Sequence, residues 1–164
     1  EKISNNTEIR PYSLIEDSFI GENSFIGPYS RLRPKTFIGD EVQIGNYVEV
    51  KNSNIASKCR INHHSFIGDA DIEKSVTLGA GTITCNHDGH NVNRIIIGEG
   101  AYIGSGSNLV APIKINANST IASGSTITED VPSGALVIAR SRQVEIQNWE
   151  GPKSNRKKPS SSKK

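Results

Sequence analysis

Aliphatic residues recur every six positions along most of this chain. Ile3, Ile9, Ile15, Ile20, Ile26, Leu32, Ile38, Ile44, Val50, Ile55, Ile61, Ile67, Ile72 and Leu78 follow one another at six residues, with an occasional five. After an interruption the period resumes at Ile97, Ile103, Leu109, Ile115, Ile121 and Ile127. Glycine often takes the second place of a tile (Gly21, Gly39, Gly45, Gly79, Gly98, Gly104), and a small or β-branched residue the fifth (Ser24, Ser30, Thr36, Val48, Ser65, Thr82, Ser107, Ser119). Such spacing is out of phase with an α-helix. It fits a short strand and a turn, with the first and fifth residues pointing inward and glycine relieving strain where the chain bends. Three tiles close a triangular turn of about 18 residues, which is the pattern of a parallel β-helix. Stacked at ~4.8 Å per turn, Ile3 to Ile127 gives about seven turns. Each turn buries its inner face only on its neighbours, so a functional site is confined to corners, loops and subunit seams.

Composition suits a narrow aliphatic core. Aromatic residues make up 5% of the chain, methionine is absent, and hydrophobic residues reach 34%. The net charge of +2 is unevenly spread. Six of the 19 Lys and Arg residues fall in Lys153–Lys164, which holds no acid, so the other 13 face 17 Asp and Glu and the body is acidic. We read residues 1–134 as the β-helix, 135–152 as a strand and arm, and 153–164 as a disordered, solvated basic tail. An acidic body makes nucleic acid an unfavoured partner. No apolar run of about 18 residues marks a membrane helix, and no signal peptide is visible. Cys59 and Cys85 are the only cysteines. Cys59 falls at a fifth place and is expected inside, so no disulfide framework is expected and a reducing cytoplasm is the default location.

The repeat breaks once, between Thr84 and Ile95, in a polar stretch that turns at Asp88–Gly89. A loop that interrupts a rigid scaffold is a favoured place for function. Cys85, His87 and His90 have a spacing that invites a metal, but a closed zinc site takes four ligands. A zinc lyase is therefore a minor alternative, and no metal is expected. His63 and His64 fall at the third and fourth places of their tile, at a corner.

More specific motifs follow the repeat. They are Arg31–Pro34 (RLRP), Gly45–Lys51 (GNYVEVK), His63–Ala70 (HHSFIGDA), Gly79–Gly89 (GAGTITCNHDG), Leu109–Pro112 (LVAP) and Ile127–Arg140. On these the chain, from about Ile9 to Trp149, resembles the C-terminal acetyltransferase domain of the bacterial bifunctional N-acetylglucosamine-1-phosphate uridyltransferase/glucosamine-1-phosphate acetyltransferases. The uridyltransferase domain of that family is absent from this sequence, which reads as a piece of a longer protein. The resemblance implies a left-handed parallel β-helix, all-β, with one interrupting loop and a C-terminal arm. It further implies a cytoplasmic homotrimer with active sites between subunits. The reaction it implies is transfer of acetyl from acetyl-CoA, as co-substrate, to the amine of glucosamine 1-phosphate, on the route to UDP-N-acetylglucosamine for the cell envelope.

Matched residue by residue, the resemblance makes His63 the catalytic base. His is suited to that role, since it titrates near neutrality. Arg33 and Lys51 match cations that hold the acceptor's phosphate. Phe66 and Thr77 match acceptor-binding positions that are usually Tyr and Asn. Ala80, Asn86, His87, Ser105, Ser123 and Arg140 match the acetyl-CoA site, with the Ala80 N–H facing the oxyanion. Val92 stands where the family carries Lys, and Arg94 is the nearest cation to replace it. These departures gather on the sugar side. They leave two alternatives: a hexapeptide acyltransferase with another amine acceptor, or a non-catalytic trimeric scaffold.

Overall fold

The computed structural model describes residues 1–152, so the basic tail lies outside the described residues. Among these the chain is all-β, a parallel solenoid of about eight turns. One face is a seven-stranded parallel sheet: Lys2–Ile3, Ser18–Ile20, Thr36–Ile38, Asn54–Ile55, Ala70–Ile72, Ile95–Ile97 and Ile113–Ile115. Val131 adds an eighth rung by bridging to Ile115. Thirteen further strands form the other two faces. They count as one sheet because Gln43–Lys51 and Arg60–Gly68, nine residues each, run through the corner between those faces. Leu136–Val137 pairs in parallel with Thr120–Ile121, so the chain still stacks in register after Pro132.

The inward columns are those of the period. Ile20, Ile26, Leu32, Ile61, Ile67, Ile97, Ile103 and Leu109 are fully buried. The fifth places lie beside them. Ser24, Ser107, Ser119 and Ser125 are buried too. Their hydroxyls are satisfied by the backbone: Ser24 Oγ donates to the Gly39 carbonyl at 3.0 Å and Ser30 Oγ to that of Gly45 at 2.6 Å. A small hydroxyl thus fills the narrow corner and pairs a carbonyl that would otherwise be stranded.

The structure moves the bend relative to the sequence expectation. The left-handed backbone conformation sits at the fourth place of the tile, as at Asn6 (φ 56°), Tyr12 (61°), Asn23 (55°), Tyr47 (58°) and His64 (44°). In the five-residue tiles it falls at the third place, as at Asp17, Asn52 and Asp69. Second-place glycine answers a different need. A Cβ at Gly45 would land on the Asn62 carbonyl of the next turn, and one at Gly98 would meet the Ala117 nitrogen at 2.5 Å. There the backbones of successive turns approach too closely for any side chain.

Candidate active site

Two corner columns carry most of the expected residues. The first runs along the stacking axis through Asn46, His63, Ala80, Ser105 and Ser123, one residue per turn. Asn46 and His63 are register partners. Gly81 donates to the His64 carbonyl at 2.9 Å, Gly106 to that of Ala80 at 2.8 Å, and Gly124 to that of Ser105 at 2.8 Å. These bonds hold the four later turns in one line. At its end the Arg140 guanidinium donates to the Ser123 carbonyl at 2.6 Å. From His63 to Ser123 is three steps, or ~14 Å.

His63 is exposed at the head of this column. Its Nδ1 lies 3.3 Å from Asn46 Oδ1. An amide oxygen only accepts, so the tautomer that satisfies the pair carries its hydrogen on Nδ1 and leaves Nε2 free as a base. Ala80, one turn on, is exposed, and its N–H donates to no acceptor among the described residues.

The second corner carries the cations. Arg33 Nη1 is 3.1 Å from Glu49 Oε1, and Lys51 Nζ is 3.6 Å from Asp69 Oδ2. Asp69 is almost fully buried and also accepts from Asn86 Nδ2 at 2.6 Å and from Asn52 Nδ2 at 2.5 Å. Burial pushes the Asp69 carboxyl upward. The bonds from Asn52 and Asn86 and the charges of Lys51 and Arg94 outweigh it, so its pKa lies below the ordinary value. Asp69 therefore stays ionised at neutral pH.

Between the two corners lies the outer surface of the strand Arg60–Gly68. Phe66 points outward there, stacked between Glu49 and Ile83. Its ring lies over Gly68, where a Cβ would sit 2.8 Å from it. Beneath it Thr84 stands buried in the aliphatic column, and its hydroxyl accepts from the Gly68 N–H at 2.7 Å. Thr77 stands elsewhere. It is in register with Arg60 and Tyr102, on the adjoining face and around the corner from Phe66. Within one chain, then, His63, Phe66, Arg33 and Lys51 share a face, while Thr77 does not.

The interrupting loop leaves at Asn86 and returns at Arg94. Asn93 donates to the Asn86 carbonyl at 2.7 Å, and His87 and Val92 form an antiparallel bridge. Asp88 closes the tip: its Oδ1 accepts from His90 at 2.8 Å and Asn91 at 2.6 Å. The His87 Nδ1 accepts from the Gly89 N–H at 3.1 Å. Among the described residues no group of three or more His, Cys, Asp and Glu side chains is placed to hold a metal. Arg94, the cation nearest Val92, is engaged within its own corner. It forms a two-bonded pair with Asp71, at 2.7 and 3.0 Å, and donates to the Asn52 carbonyl at 3.2 Å. Asn86 and His87 lie at this second corner, separated from Ala80 by the strand Ile83–Cys85.

Sequence reasoning passed over Asn46, Glu49 and Asp69. Each had a legible signal: it stands one turn, or 16 to 18 residues, from a residue already singled out, close enough for the hydrogen bond the structure shows.

Comparison with known proteins accords with this geometry. The bacterial transferase hexapeptide model (six repeats) matches residues 17–52 and 94–129. The flanks of the interrupting loop are thus matched and the loop itself is not. The bifunctional protein GlmU of Nitrosomonas eutropha is 49% identical over 154 residues, covering 94% of this chain and 34% of that protein. GlmU of Acidithiobacillus ferrooxidans is 50% identical over 156 residues, covering 95% and 34%. The chain therefore spans about a third of the length of the curated relatives it matches. Among solved structures, PerB from Caulobacter crescentus, in complex with CoA and GDP-perosamine, superposes with a TM-score of 0.59 at 20% identity, over 84% of this chain and 55% of that one. The acetyltransferase domain of PglB from Neisseria gonorrhoeae, in complex with acetyl coenzyme A, gives 0.57 at 16% identity, over 81% and 54%. These two show the fold. The sequence matches go further: the chain carries bacterial transferase hexapeptide repeats and is homologous to the C-terminal region of the bifunctional GlmU proteins.

Proposed function

We propose that this chain transfers acetyl from acetyl-CoA to the amine of glucosamine 1-phosphate, giving N-acetylglucosamine 1-phosphate. The observation that carries the reading is the pairing of two ends on one face. An outward-facing His63, with Nε2 free, stands at one corner, and Arg33 and Lys51 stand at the other. The amine of the acceptor lies toward His63 and its phosphate toward the cations.

The chemistry follows from these positions. His63 Nε2 takes a proton from the acceptor ammonium. The free amine attacks the thioester carbonyl carbon, and the C=O electron pair moves onto oxygen. The Ala80 N–H faces that oxyanion. When the pair returns, the C–S bond breaks, the imidazolium gives its proton to the departing thiolate, and the nitrogen's second proton passes through the freed His63 Nε2 to solvent, leaving the neutral amide. Asn46 accepts from Nδ1–H throughout, so the ring need not turn. The line Ala80, Ser105, Ser123 fixes the direction of the donor. Its thioester lies toward Ala80, its extended arm follows the stacking axis, and its phosphates reach Arg140.

We further propose that the working form is a homotrimer, whose neighbouring chains close the exposed face and bring Thr77, Asn86 and His87 to a shared site. The protein's product feeds UDP-N-acetylglucosamine synthesis in the cytoplasm. Phe66 favours a second reading of the acceptor. Without a phenol hydroxyl it offers a ring face and no hydrogen bond, and a bond to a charged group is worth about 1.5–3 kcal/mol. Thiol release from acetyl-CoA, measured with glucosamine 1-phosphate, glucosamine and other amino sugars, tests both. Highest kcat/KM with glucosamine 1-phosphate is the expected result. A stronger response to another amine moves the acceptor, and no turnover with any amine removes the activity.

A further inference from the structure

At the second corner Asp69 touches two residues matched to different substrates, Lys51 on the acceptor side and Asn86 on the donor side. Its backbone is left-handed, with φ 53°, a conformation that Asp adopts more readily than most residues. The main chain fixes it from two sides: its N–H donates to the Lys51 carbonyl at 3.0 Å, and its own carbonyl accepts from Ile95, where the chain re-enters the solenoid after the loop, at 3.1 Å. The side chain is 2% exposed as a residue, and a charge that deeply placed needs partners. One oxygen, Oδ2, faces both Lys51 Nζ at 3.6 Å and Asn86 Nδ2 at 2.6 Å. The other takes Asn52 Nδ2 at 2.5 Å, and the Asn52 carbonyl in turn receives Arg94 at 3.2 Å. Lys51 belongs to the acceptor side and Asn86 to the donor side, so the same buried oxygen orients a group in each.

We infer that Asp69 is a positioning residue that couples the two substrate pockets, holding Lys51 toward the acceptor phosphate and Asn86 toward coenzyme A. The inference rests on the acetyl-transfer reading. It adds a residue that touches neither substrate and yet sets the affinity for both. A corner residue with a purely structural role would lower the melting temperature and leave each binding constant alone.

The test compares wild type with Asp69→Asn, which keeps size and removes the charge. Its new NH2 group meets donors where Asn52, Asn86 and Lys51 now point at Asp69. The acceptor KM is expected to rise about tenfold, and the Kd for coenzyme A by calorimetry several-fold. Lys51→Ala is expected to move the acceptor KM more than the coenzyme A Kd, and Asn86→Ala the reverse. Adding Asp69→Asn to Lys51→Ala should raise the acceptor KM little further, because the effect passes through Lys51. If Asp69→Asn does not fold, Asn52→Gly serves instead. It suits the left-handed backbone, removes one donor from Asp69, and should shift both constants in the same direction by about two- to threefold. An active wild type with both constants unchanged in the folded variant overturns the inference. An inactive wild type overturns the acetyl-transfer reading separately. In that case an unchanged coenzyme A Kd in Asp69→Asn, measured without turnover, overturns this inference as well.

Discussion

His63 presents a free Nε2 because Asn46, one turn below, occupies Nδ1. Among the described residues no other side chain is hydrogen-bonded to the ring, so one neighbour sets the tautomer. Asn46→Ala is expected to lower kcat about tenfold with both KM values little changed, since the ring loses its orientation and substrate contacts remain. Steady-state kinetics at saturating acetyl-CoA checks this, and a change confined to KM would contradict it. The two thiols separate just as clearly. Cys59 is buried at a fifth place, and its Sγ donates to the Glu73 carbonyl at 3.0 Å. Burial pushes its pKa up to about 11, against the smaller downward pull of backbone bonds at Val76 and Ser75. Cys85 is only partly buried. A thiol reagent at pH 8 should therefore modify one cysteine in the folded protein and two after denaturation. Two rapid modifications without denaturant would show that Cys59 is open.

At the scale of elements, the close approach of successive turns dominates. Gly45→Ala drives a methyl group into the Asn62 carbonyl, part of a rigid rung. It is expected to cost about 3 kcal/mol or more in chemical denaturation. Gly124→Ala meets nothing within 4 Å, but at φ 72° it holds alanine in a left-handed conformation. That change should cost about 1–2 kcal/mol. The reverse order would mean that backbone conformation, not inter-turn spacing, selects glycine at the second place. The interrupting loop depends on carboxylates. For Asp71 the bonds from Arg94 act first, burial opposes them, and Asn54 adds to them, so its pKa is lowered. Asp69 is lowered as well. A carboxyl with a folded pKa below its unfolded value stabilises fully above about pH 4 and loses that contribution as pH falls through its folded pKa. Asp71→Asn should remove part of this acid slope in melting curves as the pH is lowered from about 4. An unchanged slope would show that the Arg94–Asp71 pair contributes nothing to it.

At the scale of the whole molecule, the solenoid was legible from spacing alone, because a six-residue period leaves one way to bury every sixth side chain. The fifth-place column was legible too, since Ser and Thr recur where a corner has room for little else. The position of the bend was not. Residues as unlike as Tyr12, Lys35, Glu41 and His64 all take the left-handed conformation, and their chemistry gives no sign of it. They are held there by stacking on the turns above and below. His63 and the cations were found by resemblance, and the structure adds that they share a face. The placement of Thr77 was not legible, because a corner separates it from Phe66 and linear distance does not record corners. The partner of Arg94 was hidden for a related reason: Asp71 is 23 residues away and one turn below. The central claim is that this face moves an acetyl group from thioester to amine with His63 as base. Mass-spectrometric detection of N-acetylglucosamine 1-phosphate, formed from acetyl-CoA and glucosamine 1-phosphate by wild type and His63→Ala, tests it most directly. Product from wild type, with a rate about 10²–10⁴-fold lower in His63→Ala, is the expected result. Equal rates from the two proteins, or no product from wild type, would contradict it.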